Sequence, residues 1–203
     1  MKRFLPALAV FSLLFFCGVV YAQSTLTEYR AIFSERTPDG AETTGKIYVA
    51  HDKSRYEVDG SGEIVVSRFD KKVTWFIYPR LRRYVEEPNT GAQTLDPGEP
   101  AEGTFGDLTR KFEGFDSRDS YRMKKYSVRV KLPGKGDLVD EYFEWYRDGF
   151  PYPVRTATSG DAYVYELSKI KIGPMDPDLF AEPKRYKKVT MEELDMAHAE
   201  RGN

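Results

Sequence analysis

The 203-residue chain balances 31 basic against 32 acidic side chains, a net charge of −1. That near-balance excludes nucleic acid as a partner, which needs a strong basic excess. The length and the 40% hydrophobic content suit one domain with a sizeable core, and the single cysteine, Cys17, excludes a disulfide framework.

Residues 1–22 read as a secretory signal peptide. Lys2 and Arg3 form a basic n-region, Phe4 to Val20 is apolar, and Val20-Tyr21-Ala22 is a cleavage site. The alternative is a membrane anchor. Lipidation at Cys17 is disfavoured, because Phe15 and Phe16 precede it where a lipoprotein signal needs a small residue. Cleavage after Ala22 leaves residues 23–203 as a single domain without cysteine, in the periplasm, at a net charge of −3 once Lys2 and Arg3 are removed.

Short runs of alternating apolar and polar residues follow, split by turn signals about every ten residues, the mark of successive hairpins. Strands are predicted at Thr25–Glu35, Lys46–Ala50, Arg55–Asp59, Glu63–Arg68, Val73–Tyr78 and Arg83–Glu87. Pro38-Asp39-Gly40, His51-Asp52-Lys53, Asp59-Gly60-Ser61-Gly62 and Phe69-Asp70-Lys71-Lys72 supply the turns. Pro88–Thr104, rich in Pro, Gly, Thr and Glu, reads as a long loop. Phe105–Phe115 reads as one or two helical turns, with Leu108 and Phe112 at i and i+4. Strands resume at Lys125–Leu132, Val139–Tyr146, Val154–Ser159 and Ala162–Ile172, the first two joined by Pro133-Gly134-Lys135-Gly136. Thr190-Met191-Glu192-Glu193 fits a capping box, which predicts a short helix over about 191–199. The class is mainly β, a closed barrel or a strongly curved open antiparallel sheet, with one or two short helices.

Enzyme signatures are missing. His51 and His198 are the only histidines and lie far apart, and there is no HExxH, GxSxG, Walker A or GxGxxG pattern. Asp137, Asp140 and Glu141 read as a solvated turn rather than a cation site. Neither a cofactor nor a metal is called for. Aromatic residues are the better clue. Val73–Tyr78 carries large apolar groups on both faces, so a ligand pocket between sheet and cover is a fair reading. The candidate lining is Ile64, Val66, Trp75 and Ile77, with Tyr142, Phe143 and Trp145 as second choices. A one-residue register error would invert the face. Arg80, Arg82 and Arg83 form a basic cluster that fits head groups or an acidic partner, or else a solvated turn guarding an edge.

GKIYVAHDKSRYEV and EIVVSRFDKKVTWFIYPRLRRYVEE together resemble the LolA/LolB-like lipoprotein-carrier superfamily, closest to its outer-membrane lipoprotein-sorting members. The shared scheme is a Gly-initiated strand, an Arg-x-Glu strand, a strand ending in Arg-x-Asp, a Trp-x-x-x-Pro strand and a Tyr-x-Glu. Trp145, Gly149 and Pro151 continue it, and Asp178-Leu179-Phe180, Pro183 and Tyr186-Lys187-Lys188-Val189 close it. The resemblance implies an unclosed half-barrel, a hydrophobic cavity and a non-enzymatic role with lipid or lipoprotein acyl chains, inner- or outer-membrane envelope proteins being further partners. The sequence departs from the carrier in two places. The first strand starts within a few residues of Gln23, where the carrier has a long amphipathic helix, and His51 stands where the carrier has an arginine. A protein-interaction or lipid-responsive sensor module with a solidly packed sheet is the alternative.

Overall fold

The computed structural model describes residues 27–89, 103–105, 108–118, 121–131 and 139–201. The signal peptide, most of the long loop and the Pro133–Gly136 turn therefore lie outside the described residues.

The strands are β1 Tyr29–Arg36, β2 Glu42–Ala50, β3 Lys53–Val58, β4 Ile64–Arg68, β5 Val73–Tyr78, β6 Arg83–Pro88, β7 Gly103–Phe105, β8 Leu108–Arg118, β9 Tyr121–Lys131, β10 Val139–Arg147, β11 Arg155–Thr158, β12 Val164–Ile172 and β13 Lys187–Lys188. One helix, α1 Met191–Arg201, follows. All thirteen strands form one curved, unclosed sheet in the order β13-β6-β5-β4-β3-β2-β1-β12-β11-β10-β9-β8-β7. Neighbours are antiparallel except β13, which runs parallel to the edge strand β6. Two residues suffice to cover that edge: the Lys187 and Val189 amides donate to the Arg82 and Tyr84 carbonyls at 3.0 Å each.

Two expectations are corrected. The stretch read as helical turns is strand β8. Leu108 and Phe112 share a face at i, i+4 in a strand as well as in a helix, so their spacing could not separate the two. The loop read as Pro88–Thr104 is shorter, because Pro88 closes β6 and Gly103 opens β7. The capping box is formed as expected. The Thr190 amide donates to Glu193 Oε2 at 2.8 Å, and the Glu193 amide to Thr190 Oγ1 at 3.2 Å.

Cross-strand register separates the two faces of the sheet. On one, Val85, Phe76, Val65, Tyr56, Ile47 and Ala31 lie side by side in a row crossing β6, β5, β4, β3, β2 and β1. Leu194 of α1 and Val189 pack against Val85, Phe76 and Tyr78 at the end of this row, so we call it the helix face. On the other, Tyr84, Ile77 and Ile64 form one row and Trp75 and Val66 the next. Phe180 packs here with Met175, Leu179 and Tyr186 half-buried beside it. We call residues 174–186 the strap and this side the strap face.

A candidate apolar face and the strap that closes the other

The strap is fastened by charge-assisted hydrogen bonds. Arg55 Nη1 donates to the Leu179 carbonyl at 3.1 Å, and Arg68 Nη1 to the Phe180 carbonyl at 2.8 Å. Each guanidinium is held by an acid two residues on. Arg55 Nε meets Glu57 Oε1 at 2.8 Å, and Arg68 meets Asp70 through Nε at 2.7 Å and Nη2 at 2.5 Å. Alternation puts Arg55 and Glu57 on one face of β3 and aims the arginine at the strap. At the edge, Trp75 Nε1 donates to Glu86 Oε2 at 2.9 Å while Lys188 Nζ meets Glu86 Oε1 at 2.7 Å. Lys188, then Trp75, hold the Glu86 carboxyl below its ordinary range, and Arg68 does the same for Asp70. At the start of the strap, the Met175 amide donates to Glu28 Oε2 at 2.6 Å, and Glu28 Oε1 lies 3.0 Å from His51 Nε2. His51 is exposed and sits at φ +47°.

The residues expected to line a cavity fall into distinct places. Val66, Trp75 and Ile77 are buried, with Ile64 half-buried beside them, in the cluster that Phe180 completes. Phe143 and Trp145 lie on one side of β10 and Tyr142 on the other, because their register partners alternate. Trp145 is buried between cations, with Lys125 Nζ and the Arg155 guanidinium each 5.1 Å from its ring centre, and it donates to Asp116 Oδ2 at 3.0 Å. Tyr142 is buried on the helix face, its neighbour Val128 beside it. The arginine cluster divides. Arg80 donates to the Gly60 carbonyl, Arg83 Nη1 donates to the Glu193 carbonyl of α1 at 3.2 Å, and Arg82 is exposed at φ +54°. Of the acidic trio, Glu141 pairs with Arg129 Nε at 3.0 Å. Asp137 and the Asp140 side chain lie outside the described residues, which hold no group of three His, Cys, Asp or Glu able to bind a metal.

Of the helix face, the sequence-predicted lining included Tyr142 alone. Beyond its six-strand row, Phe33 lies over β2 and β3, its ring centre 5.6 Å from that of Tyr56 and 6.2 Å from that of Tyr165 on β12. Burial pushes the hydroxyls of Tyr29 and Tyr165 well up and that of Tyr152 up to about 12. The Tyr165 hydroxyl is buried against that of Tyr56 without a well-formed hydrogen bond. Further along, Phe112, Tyr126 and Glu144 lie side by side across β8, β9 and β10. Arg110 Nε and the Tyr146 hydroxyl both donate to Glu144 Oε2, at 3.1 and 2.9 Å. Burial works against the Arg110 charge, but Glu144, Tyr146 and Tyr142 together outweigh it and raise the guanidinium above its ordinary range. The six-residue row is thus apolar from β6 to β1, with polar groups such as Ser67 and Thr74 flanking it on the same face, and the Arg110–Glu144 ion pair lies beyond β12. The signal that could have found the row was the alternation of Tyr56 and Val58 on β3 and of Ile47 and Val49 on β2, with Tyr56 opposite Ile47.

By sequence the chain matches no family model and no curated protein. Its structure is similar to that of an uncharacterised conserved protein from Thermus thermophilus, at 16% identity over 81% of this chain and 90% of that one, with a TM-score of 0.55. Weaker likenesses include a LolA superfamily protein from Nitrosomonas europaea (14% identity, 81% and 93% covered, TM-score 0.35) and the lipoprotein LppX from Mycobacterium tuberculosis (11%, 72% and 88%, 0.40). At such identities the likeness concerns the fold alone. No described helix is long and apolar enough to cross a membrane. The architecture is an unclosed half-barrel similar in fold to the Thermus thermophilus protein, with a strap closing one face and, among the described residues, one α-helix at one end of the other.

Proposed function

We propose that this is a non-enzymatic envelope protein, exported to the periplasm, that holds lipid or lipoprotein acyl chains along the helix face. The observation carrying this reading is the row from Val85 to Ala31. It is apolar across six strands, while α1 packs only at its β5–β6 end. The strap face, by contrast, turns charged beyond the strap, through Arg55, Glu57 and Lys46. Each acyl methylene taken from water contributes about 0.8 kcal/mol, so one long chain supplies useful affinity. Ile64, Val66, Trp75 and Ile77 serve such a ligand only if Phe180 is displaced.

The burial of Phe33, Ile47 and Val49 favours the second reading, a packed sheet that meets another envelope protein. Delipidated protein titrated with a fluorescent fatty acid separates the two. Saturable binding is expected, and Val65→Lys, a charge in the half-buried middle of the row, should weaken it about tenfold or more. Absence of saturable binding would sink the lipid reading. A ligand seated under the strap would spare Val65→Lys and shift the fluorescence of Trp75.

A further inference from the structure

We infer that the turn end of the β8–β9 hairpin, which carries one exposed ring on each face, is a docking surface for an anionic phospholipid bilayer. Two aromatic side chains stand out there, Phe115 at 52% exposure and Tyr121 at 59%. Burial is the usual fate of such rings among the described residues, where the other exposed large apolar groups, Ile172, Met191 and Met196, are not aromatic. Both rings carry cations. The Arg122 guanidinium lies 3.6 Å from the Phe115 ring centre, and that of Arg147 lies 5.8 Å from the Tyr121 ring centre. Lys124 and Lys125 follow on β9. Among the described residues the acids nearby are Asp116, which accepts from Trp145 Nε1 and from the Ser117 amide, and Asp148 in the turn after β10; Asp119 adds a third in sequence. Exposed rings flanked by arginine and lysine match the boundary between acyl region and anionic head groups, where the ring enters and the cation stays with the phosphates.

The patch leads inward. The Phe115 ring centre is 5.3 Å from that of Phe112, Phe112 is 5.4 Å from Tyr126, and Tyr126 is 5.8 Å from Tyr146. This ladder runs from the exposed ring to buried rings at the Glu144 end of the helix face. It gives an acyl chain an apolar path from the bilayer to that face, a role that rests on the proposed function, whereas docking rests on the patch alone.

Co-sedimentation of the full chain with phosphatidylglycerol and with phosphatidylcholine vesicles tests the docking. Binding to the anionic vesicles is expected, falling as salt rises. Arg122→Glu should lower it about fivefold and Phe115→Ser with Tyr121→Ser about tenfold, each variant keeping its wild-type circular dichroism and melting temperature. Arg82→Glu, in the other basic cluster, should leave it unchanged. No preference for the anionic vesicles, or loss caused by Arg82→Glu and not by the hairpin variants, overturns the proposal. The fluorescent fatty acid is read in the same variants without vesicles. Its failure to bind wild type would strike the acyl-chain reading and leave the docking result standing.

Discussion

Single residues on the helix face decide how far it is a core and how far a receptacle. Tyr165 brings a buried hydroxyl that makes no well-formed hydrogen bond, only a contact with the Tyr56 hydroxyl, and a buried hydroxyl left unsatisfied costs about 1–3 kcal/mol relative to its hydrated state. Tyr165→Phe removes the oxygen and keeps the ring against Phe33. Urea denaturation should show unchanged stability or a gain of about 1 kcal/mol; a clear loss would mean that the hydroxyl has a partner. Gly45 shows the opposite constraint. A Cβ there would collide with the Glu57 carbonyl and come within 2.7 Å of Phe33 Cε1. The glycine inside β2 is thus demanded by the Glu57 carbonyl and the Phe33 ring beside it, not by its backbone dihedrals.

Among the elements, the strap is where the sequence motifs converge. Arg55-x-Glu57, Arg68-x-Asp70, Trp75, Glu86, Phe180 and Lys188 all act in holding residues 174–188 against the strap face and the β6 edge. The pattern that pointed to the family is therefore the pattern of a fastening. Phe180 is 1% exposed, and Phe180→Ala should cost about 3–5 kcal/mol. Arg68→Ala, which strips a charged donor from the Phe180 carbonyl, should cost about 1.5–3 kcal/mol. Because Arg68 and Phe180 act on one element, the double variant should lose less than the sum of the singles in the same denaturation series. Full additivity would show that the strap is not a cooperative unit.

At the scale of the molecule, ionisable groups set the pH range of the fold. Asp70 and Glu86 ionise below their ordinary values of 3.8 and 4.5 in the folded protein. Their contribution is complete above those values and is lost as pH falls through the lowered folded ones. Tyr29 and Tyr152 are raised by burial, Tyr152 to about 12. Their contribution is complete below the ordinary value of 10.0 and is lost as pH rises through the folded ones. The urea midpoint should be flat from about pH 5 to 9 and fall on both sides. A maximum confined to one side of neutrality would contradict this assignment.

The sequence by itself determined the strands of the first half, the capping box of α1 and the hairpin order, because period-2 alternation and turn residues are local signals. It left β8 ambiguous, since an i, i+4 pair serves helix and strand alike, and it gave no hint of the two-residue parallel strand β13, whose partner β6 lies far back along the chain. It could name apolar residues on both sides of β5 but not say which side the chain itself would cover. Only the tertiary structure decided that. The strap's Phe180 reaches Val66, Trp75 and Ile77 from far along the chain, and once that face is filled, the row from Val85 to Ala31 is the apolar row on which the proposed ligand would have to lie. Register fixes which residues share a face; what covers a face depends on contacts distant in sequence, and no local pattern encodes them.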